Sequence, residues 1–226
     1  VKYIWTHDAF RVGEDGPTHQ PVEQEAQIRL MEHLKNHHGE NSMLVLRPAD
    51  AAETTVAWKL ALENTKTPTA LILSRQNIKD LPSASGNRYA DALNAEKGAY
   101  IVQDCQGEPD ITLVASGSEV STLIDSAEKL KSEGLKVRVV SAPSEGLFRL
   151  QPASYRNSVI PQSGPVFGLT AGLPVTLQGL VGPFGKVWGL SNFGYSAPFK
   201  VLDEKFGFTP ENVCNQVSEY LKGFKK

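Results

Sequence analysis

A chain of 226 residues, 40% hydrophobic and 21% charged, has the composition of a globular protein large enough for one sizeable domain or two modest ones. Its formal net charge of −2 gives no electrostatic footprint for nucleic acid or an anionic membrane, and no apolar run approaches the length of a membrane span. The first residues do not read as a secretory signal. The two cysteines, Cys105 and Cys214, form no metal or redox motif, so the expectation is a reduced, cytoplasmic protein with both thiols packed.

In chain order, the β-branched and aromatic run at residues 2–6 predicts a strand. Pro21 suits a helix start, Val22, Ala26, Leu30 and Leu34 recur at helical spacing, and residues 35–39 supply a basic last turn and a glycine stop. A second strand is expected at 43–47, closed by Pro48. Asp50 and Glu53 then give a capping-box-like start to a helix through Ala57, Leu60 and Ala61. A third strand at 69–74 ends at Arg75. This alternation predicts parallel pairing with right-handed crossovers, in a small sheet with exposed edges at 2–6 and 43–47. Residues 79–95 lose periodicity, gain Pro, Ser and Gly, and read as a linker. Beyond them, strands are expected at 99–103 and 110–115, a helix over 118–133, a strand at 136–141 and a helical stretch to about 159. Strands at 165–169 and 186–190 follow, with closing helices over 198–206 and 210–221. The fold class is therefore α/β: two three-layer units with parallel or mixed sheets, an incomplete one over 1–78 and a complete one over 96–226.

Between the first strand and the first helix lies a loop with two imidazoles (His7, His19), three carboxylates (Asp8, Glu14, Asp15) and two glycines (Gly13, Gly16). Open α/β sheets bind ligands beyond the carboxyl ends of their strands. His7 follows the first strand and Arg75 the third, and the loop carrying Glu14, Asp15 and His19 leads into the helix near Pro21. All are expected on one rim. A helix start there favours anions. Arginine with histidine suits a phosphate, and aspartate with histidine suits sugar hydroxyls, so the inferred ligand is a phosphorylated polyol or sugar. Each residue has a plainer reading: Arg75 as a surface ion-pair partner, Glu14 and Asp15 as solvated turn residues, Asp50 as a helix cap. His33, His37 and His38 read as a solvated helix end, and His7 and His19 lack the close His or Cys partners of a metal site. Within Ser116-Gly117-Ser118-Glu119, serine is expected to cap the following helix rather than to bind an anion. Convergence on one rim sets the first loop apart.

These residues also resemble a known family. Tyr3-Ile4-Trp5-Thr6-His7-Asp8, followed by Gly13-Glu14-Asp15-Gly16-Pro17-Thr18-His19-Gln20-Pro21-Val22-Glu23, is similar to the signature of transketolases. The likeness continues through Leu46-Arg47-Pro48-Ala49-Asp50, Leu73-Ser74-Arg75-Gln76, Glu96-Lys97-Gly98-Ala99-Tyr100 and Ala115-Ser116-Gly117-Ser118-Glu119-Val120. It extends to Phe193-Gly194-Tyr195-Ser196-Ala197-Pro198 and Lys205-Phe206-Gly207-Phe208-Thr209, so that it spans nearly the whole chain. The resemblance implies the late part of a pyrimidine-binding domain (1–78), a linker (79–95) and a transketolase C-terminal domain (96–226). It implies a two-carbon ketol transfer between ketose and aldose phosphates, with thiamine diphosphate and Mg2+ or Ca2+ in a complete, homodimeric enzyme.

Carried over by position, His7 and Arg75 resemble phosphate-holding residues and Asp15 the residue that recognises a substrate hydroxyl. His19 resembles the histidine beside the thiazolium that contacts substrate and shares in proton transfer, the one catalytic assignment here. The cofactor- and metal-binding residues are expected upstream, so the chain alone is expected to be inactive and to have an N-terminal transketolase portion as its partner. Ala9, Phe10 and Arg11 stand where Ser, Ile and Gly are common in the family, and residues 31–42 are longer than its usual link, which predicts a surface excursion. Two alternatives stay open: a related thiamine-dependent synthase or dehydrogenase beta subunit, and a non-catalytic assembly or regulatory module.

Overall fold

Short β-branched runs bounded by Pro, Gly and polar turns form two separate sheets in the computed structural model, which describes residues 1–224. The first sheet has β1 (Lys2–Trp5), β2 (Leu44–Leu46) and β3 (Thr69–Ile72) in the order β1-β3-β2, all parallel, as a strand-helix-strand alternation requires. One face of this sheet packs on α2 (Ala51–Glu63) through Leu46, Leu71, Ala57 and Ala61; the other packs Val45, Ala70 and Ile72 against Ile28 of α1 (Gln24–Leu30).

The second sheet runs β4-β6-β5-β7-β8: β4 (Tyr100–Gln103), β5 (Ile111–Ala115), β6 (Val137–Ser141), β7 (Val166–Leu169) and β8 (Lys186–Trp188). Only the edge strand β4 is antiparallel to its neighbour. One face is covered by α4 (Glu119–Ser132) and α9 (Pro210–Phe224), the other by α5 (Glu145–Arg149), α6 (Ala153–Val159) and α7 (Val175–Val181). The near-continuous apolar strand β5, buried throughout, is what a central strand covered on both faces demands.

Several expectations are corrected. The helix predicted from Pro21 is only the seven residues of α1, and it buries Glu25 and Arg29 while Leu30 and Leu34 face outward. The segment 79–95 is not featureless: α3 (Arg88–Ala92) starts on an Asn87 side-chain cap, and a 3-10 turn, Leu93–Lys97, follows. The stretch to residue 159 is two helices, α5 and α6, broken at Gln151 and Pro152. Helix α7 was not anticipated. Of the two expected exposed edges, β1 is exposed and apolar (Tyr3, Ile4 and Trp5), whereas β2 is covered by α5 through Leu147. Residues 31–42 form the expected surface excursion, pinched by a Lys35–Asn41 bridge, with His33, His37 and His38 exposed. Cys214 is buried as expected, whereas Cys105 is half-buried.

Candidate functional site

β1 and β3 pair in register, with Trp5 opposite Ile72, and Leu73 N–H donates to Trp5 O at 2.7 Å. The two strands therefore end together, and His7 and Arg75 emerge side by side at the carboxyl edge of the sheet, both exposed. From there the chain passes through a 3-10 turn at Phe10–Val12, reverses at Gly13 (φ +99°) and Gly16 (φ +78°), and enters a second 3-10 turn, Pro17–His19. These positive φ angles suit glycine and strain other residues. The Arg75 Nη1 atom lies 3.9 Å from where a Cβ on Gly13 would stand, so the guanidinium reaches the root of the loop that carries Asp15 and His19. Asp15 and His19 are exposed.

Each imidazole has its Nδ1 within hydrogen-bond distance of the preceding threonine: Thr6 Oγ1 at 2.8 Å from His7 and Thr18 Oγ1 at 3.0 Å from His19. That fixes one ring nitrogen and leaves Nε2 for another partner. A cavity of about 70 Å3 beside the rim is lined by His7, Asp8, Gln24, Glu25, Ile72 and Gly172, but not by Asp15, His19 or Arg75. His7 thus faces this cavity, while Arg75 stands at the root of the Asp15–His19 loop outside it. The start of the first helix does not offer the anion site expected of it: Glu23 already accepts from Val22 N–H at 3.1 Å, and the buried Glu25 occupies the first turn. A larger cavity of about 490 Å3 lies at the opposite, amino-terminal end of the sheet, among Leu44, Leu60, Asn64, Thr67 and Leu147. Among the described residues no three His, Cys, Asp or Glu side chains gather as metal ligands, and no helix is long and apolar enough to cross a membrane.

Beneath the rim lies a buried ionic network that the sequence did not disclose. Arg47, at the end of β2 and fully buried, donates from Nε to Asp8 Oδ2 at 2.8 Å. Its Nη1 donates to Ser116 O at 2.6 Å and to Glu119 Oε2 at 2.5 Å. Gly117 (φ +61°) clears the way, because a Cβ there would overlap the guanidinium. Arg11 takes the other carboxylate oxygen, Glu119 Oε1, at 3.0 Å, together with Ser118 Oγ at 2.8 Å and Asp203 Oδ1 at 2.7 Å. Ser118 is therefore not the side-chain cap expected of it; it serves Arg11 and Glu119.

Next to Arg11, Phe10 packs against Phe206 and Phe208 with ring centroids 5.1 and 4.8 Å apart. Two of the three family departures, Phe10 and Arg11, thus anchor the start of the loop in the second unit, and the third, Ala9, takes a φ of +52°. Burial raises the Asp8 carboxyl to about 6, with Arg47 opposing the rise and Glu25 and Glu119 adding to it. Burial acts on Glu25 in the same sense, but Arg47 and Arg29 together hold it below the ordinary carboxylate range. Asp50 is the cap expected, accepting from Glu53 N–H at 2.8 Å. It is also more than that, because its second oxygen accepts from Arg88 Nε at 2.6 Å and Leu81 N–H at 3.0 Å.

Strand order defines an α/β protein with a cluster of polar side chains at the carboxyl edge of a parallel sheet. Residues 1–80 match the model of the transketolase pyrimidine-binding domain, and residues 98–209 match that of the transketolase-like C-terminal domain. Transketolase 2 of Vibrio parahaemolyticus is 45% identical over 219 residues, 96% of this chain and 31% of that protein. The solved transketolase of Leishmania mexicana superposes with a TM-score of 0.85 at 41% identity, covering 99% of this chain and 31% of its own. A Pichia stipitis transketolase solved in complex with sedoheptulose-7-phosphate gives a TM-score of 0.85 at 35% identity, over 98% of this chain and 30% of its own. The chain belongs to the transketolase family and spans about a third of the length of the relatives it matches.

Proposed function

We propose that this chain supplies the sugar-phosphate side of a two-carbon ketol transfer between ketose and aldose phosphates, within an enzyme completed by an N-terminal transketolase portion. The observation that carries the reading is the paired ending of β1 and β3, which sets His7 and Arg75 on one edge with Arg75 against the root of the Asp15–His19 loop. In this reading Arg75 and His7 hold the substrate phosphate: a guanidinium presents two parallel donors to phosphate oxygens, and an imidazole adds a third. Asp15, an acceptor-only group when ionised, takes hydrogen bonds from sugar hydroxyls near the reacting carbons. His19, its Nδ1 engaged by Thr18, has Nε2 to hydrogen-bond a substrate oxygen and to pass a proton to or from it. The sugar-phosphate complex of the Pichia stipitis relative supports the substrate class.

In the complete enzyme thiamine diphosphate, with Mg2+ or Ca2+, supplies the electron sink for breaking and forming the carbon–carbon bond. We place the site for the metal-bound diphosphate on the N-terminal portion, as the family resemblance implies, with homodimerisation expected of the whole. The free thiols of Cys105 and Cys214 suit a reduced, cytoplasmic setting. A role as a non-catalytic assembly module is favoured by one observation, the exposed apolar strand β1, which also suits pairing with the N-terminal portion. An assay with a ketose phosphate, an aldose phosphate, cofactor and cation separates the two. The catalytic reading expects no turnover from the chain alone and turnover once the N-terminal portion is added; silence in both conditions contradicts it.

A further inference from the structure

The four contacts proposed above all come from residues 1–78, which leaves the second unit without a part in the site. The loop they depend on is nonetheless shaped from that unit. Residues 13–20 are polar, and a loop of this kind has no core of its own to hold it.

Its ends are tied together by Gln20, fully buried, whose Nε2 donates to Gly13 O at 2.5 Å. The Gln20 Oε1 atom is buried, has no hydrogen-bond partner among the described residues, and lies against Gly194; a Cβ on Gly194 would fall inside the Gln20 carboxamide. Two residues on, Ser196 Oγ donates to Glu14 O at 2.6 Å across a sequence separation of 182. Behind Gly13, Ala197 O and Phe199 N stand 3.5 and 3.8 Å from the place a Cβ would take. One segment of the second unit therefore meets the loop at Gly13, Glu14 and Gln20, on either side of Asp15 and immediately after His19.

We propose that Gly194 and Ser196, with Gln20, form a clasp through which the C-terminal unit positions Asp15 and His19. Ser196 and Gln20 are positioning residues that touch no substrate. Gly194 is the cleared space that lets the clasp close. The consequence for turnover rests on the sugar-phosphate reading of the loop; the clasp itself does not.

Amide hydrogen exchange across residues 13–20 of the full chain tests it. Ser196→Ala removes one neutral hydrogen bond and is expected to speed exchange there about fivefold, with Gly194→Ala larger and Ser196→Thr, which keeps the hydroxyl, near wild type. Unchanged exchange at Leu113, Val139 and Phe167 reports that the five-stranded core is intact. With the N-terminal portion supplied, Ser196→Ala is expected to lower kcat several-fold while KM for the phosphorylated donor stays within about twofold, because His7 and Arg75 are untouched. Loop exchange that is unmoved in both Ser196→Ala and Gly194→Ala overturns the clasp, whatever the turnover. A loosened loop with unchanged kcat leaves the clasp standing and contradicts the assignment of Asp15 and His19 as substrate contacts.

Discussion

The five-stranded sheet is filled on both faces by apolar side chains, with Leu113, Leu123, Leu130, Val139 and Phe167 on one side and Val114, Val140, Leu177 and Leu180 on the other. The three-stranded sheet has far less of this: Leu46, Leu71, Ala57 and Ala61 on one face and Val45, Ala70 and Ile72 on the other. Apolar contacts join the smaller sheet's unit to its neighbour, through Phe10, Val22, Ala49, Ala52 and Val56, and a network of charge is added to them. Asp8, Arg47, Glu119, Arg11 and Asp203 run as a continuous chain of ion pairs, buried at Arg47, Glu119 and Arg11, from the rim into the second unit. Arg88 repeats the device between Asp50 and Glu53 of α2 and the Tyr100 hydroxyl of β4. Burial gives an apolar sheet its stability directly, whereas a buried ion pair stabilises only while every partner is present. The smaller unit thus acquires a fixed orientation at the cost of sensitivity to single substitutions, and the rim loop lies directly above that joint.

The sharpest way to break this contrast is at its hub. Arg47→Met leaves Asp8 and Glu119 buried without their principal cation and should cost about 3–5 kcal/mol in urea unfolding. A loss under about 1 kcal/mol contradicts a joint that depends on this charge network.

Next in size is a dependence on pH. Asp8, at about 6 in the fold, binds its proton more tightly there than in the unfolded chain, so it favours folding below its unfolded value and that contribution disappears as pH rises to about 6. Glu25, held below its ordinary range, acts with the opposite slope and loses its contribution as pH falls. Subtracting the stability of Asp8→Asn from that of wild type isolates the first effect. The difference should fall by on the order of 2 kcal/mol between about pH 4 and pH 6.5. A flat or rising difference is incompatible with a destabilised buried carboxylate at this position.

The smallest effect is expected just after α1, in the surface excursion. Leu34→Gln should change stability by no more than about 0.5 kcal/mol, because the side chain packs on nothing essential within the chain. A loss above about 2 kcal/mol would mean that the leucines of this segment are core after all.

That last substitution marks where the sequence misleads. Val22, Ala26, Leu30 and Leu34 have helical spacing, but spacing does not say which side faces the protein, and here Arg29 is buried between Glu25 and Glu32. Arg47 gave no signal beyond standing at the end of a strand, since its partners Asp8, Glu25 and Glu119 lie far from it in sequence. Helix α7 was hidden by Pro174 at its start and Gly179 within it. What could be read was local or topological. Asp50 with Glu53 announces a cap within four residues, and alternation of strands and helices forces β1 and β3 to end on one edge. The placement of His7 and Arg75 on a common rim followed from that alternation alone. The grip of residues 194–199 on the loop could not follow, because it depends on contacts between distant segments.

Whether Arg75 holds the phosphate end of a sugar-phosphate substrate, as we propose, is tested by the steady-state kinetics of Arg75→Ala in the enzyme completed by its N-terminal portion. Loss of a charge-assisted, bidentate contact should raise KM for a phosphorylated donor about tenfold or more, and leave KM for an unphosphorylated ketol donor within about twofold. Equal changes for both donors, or none for either, would contradict it.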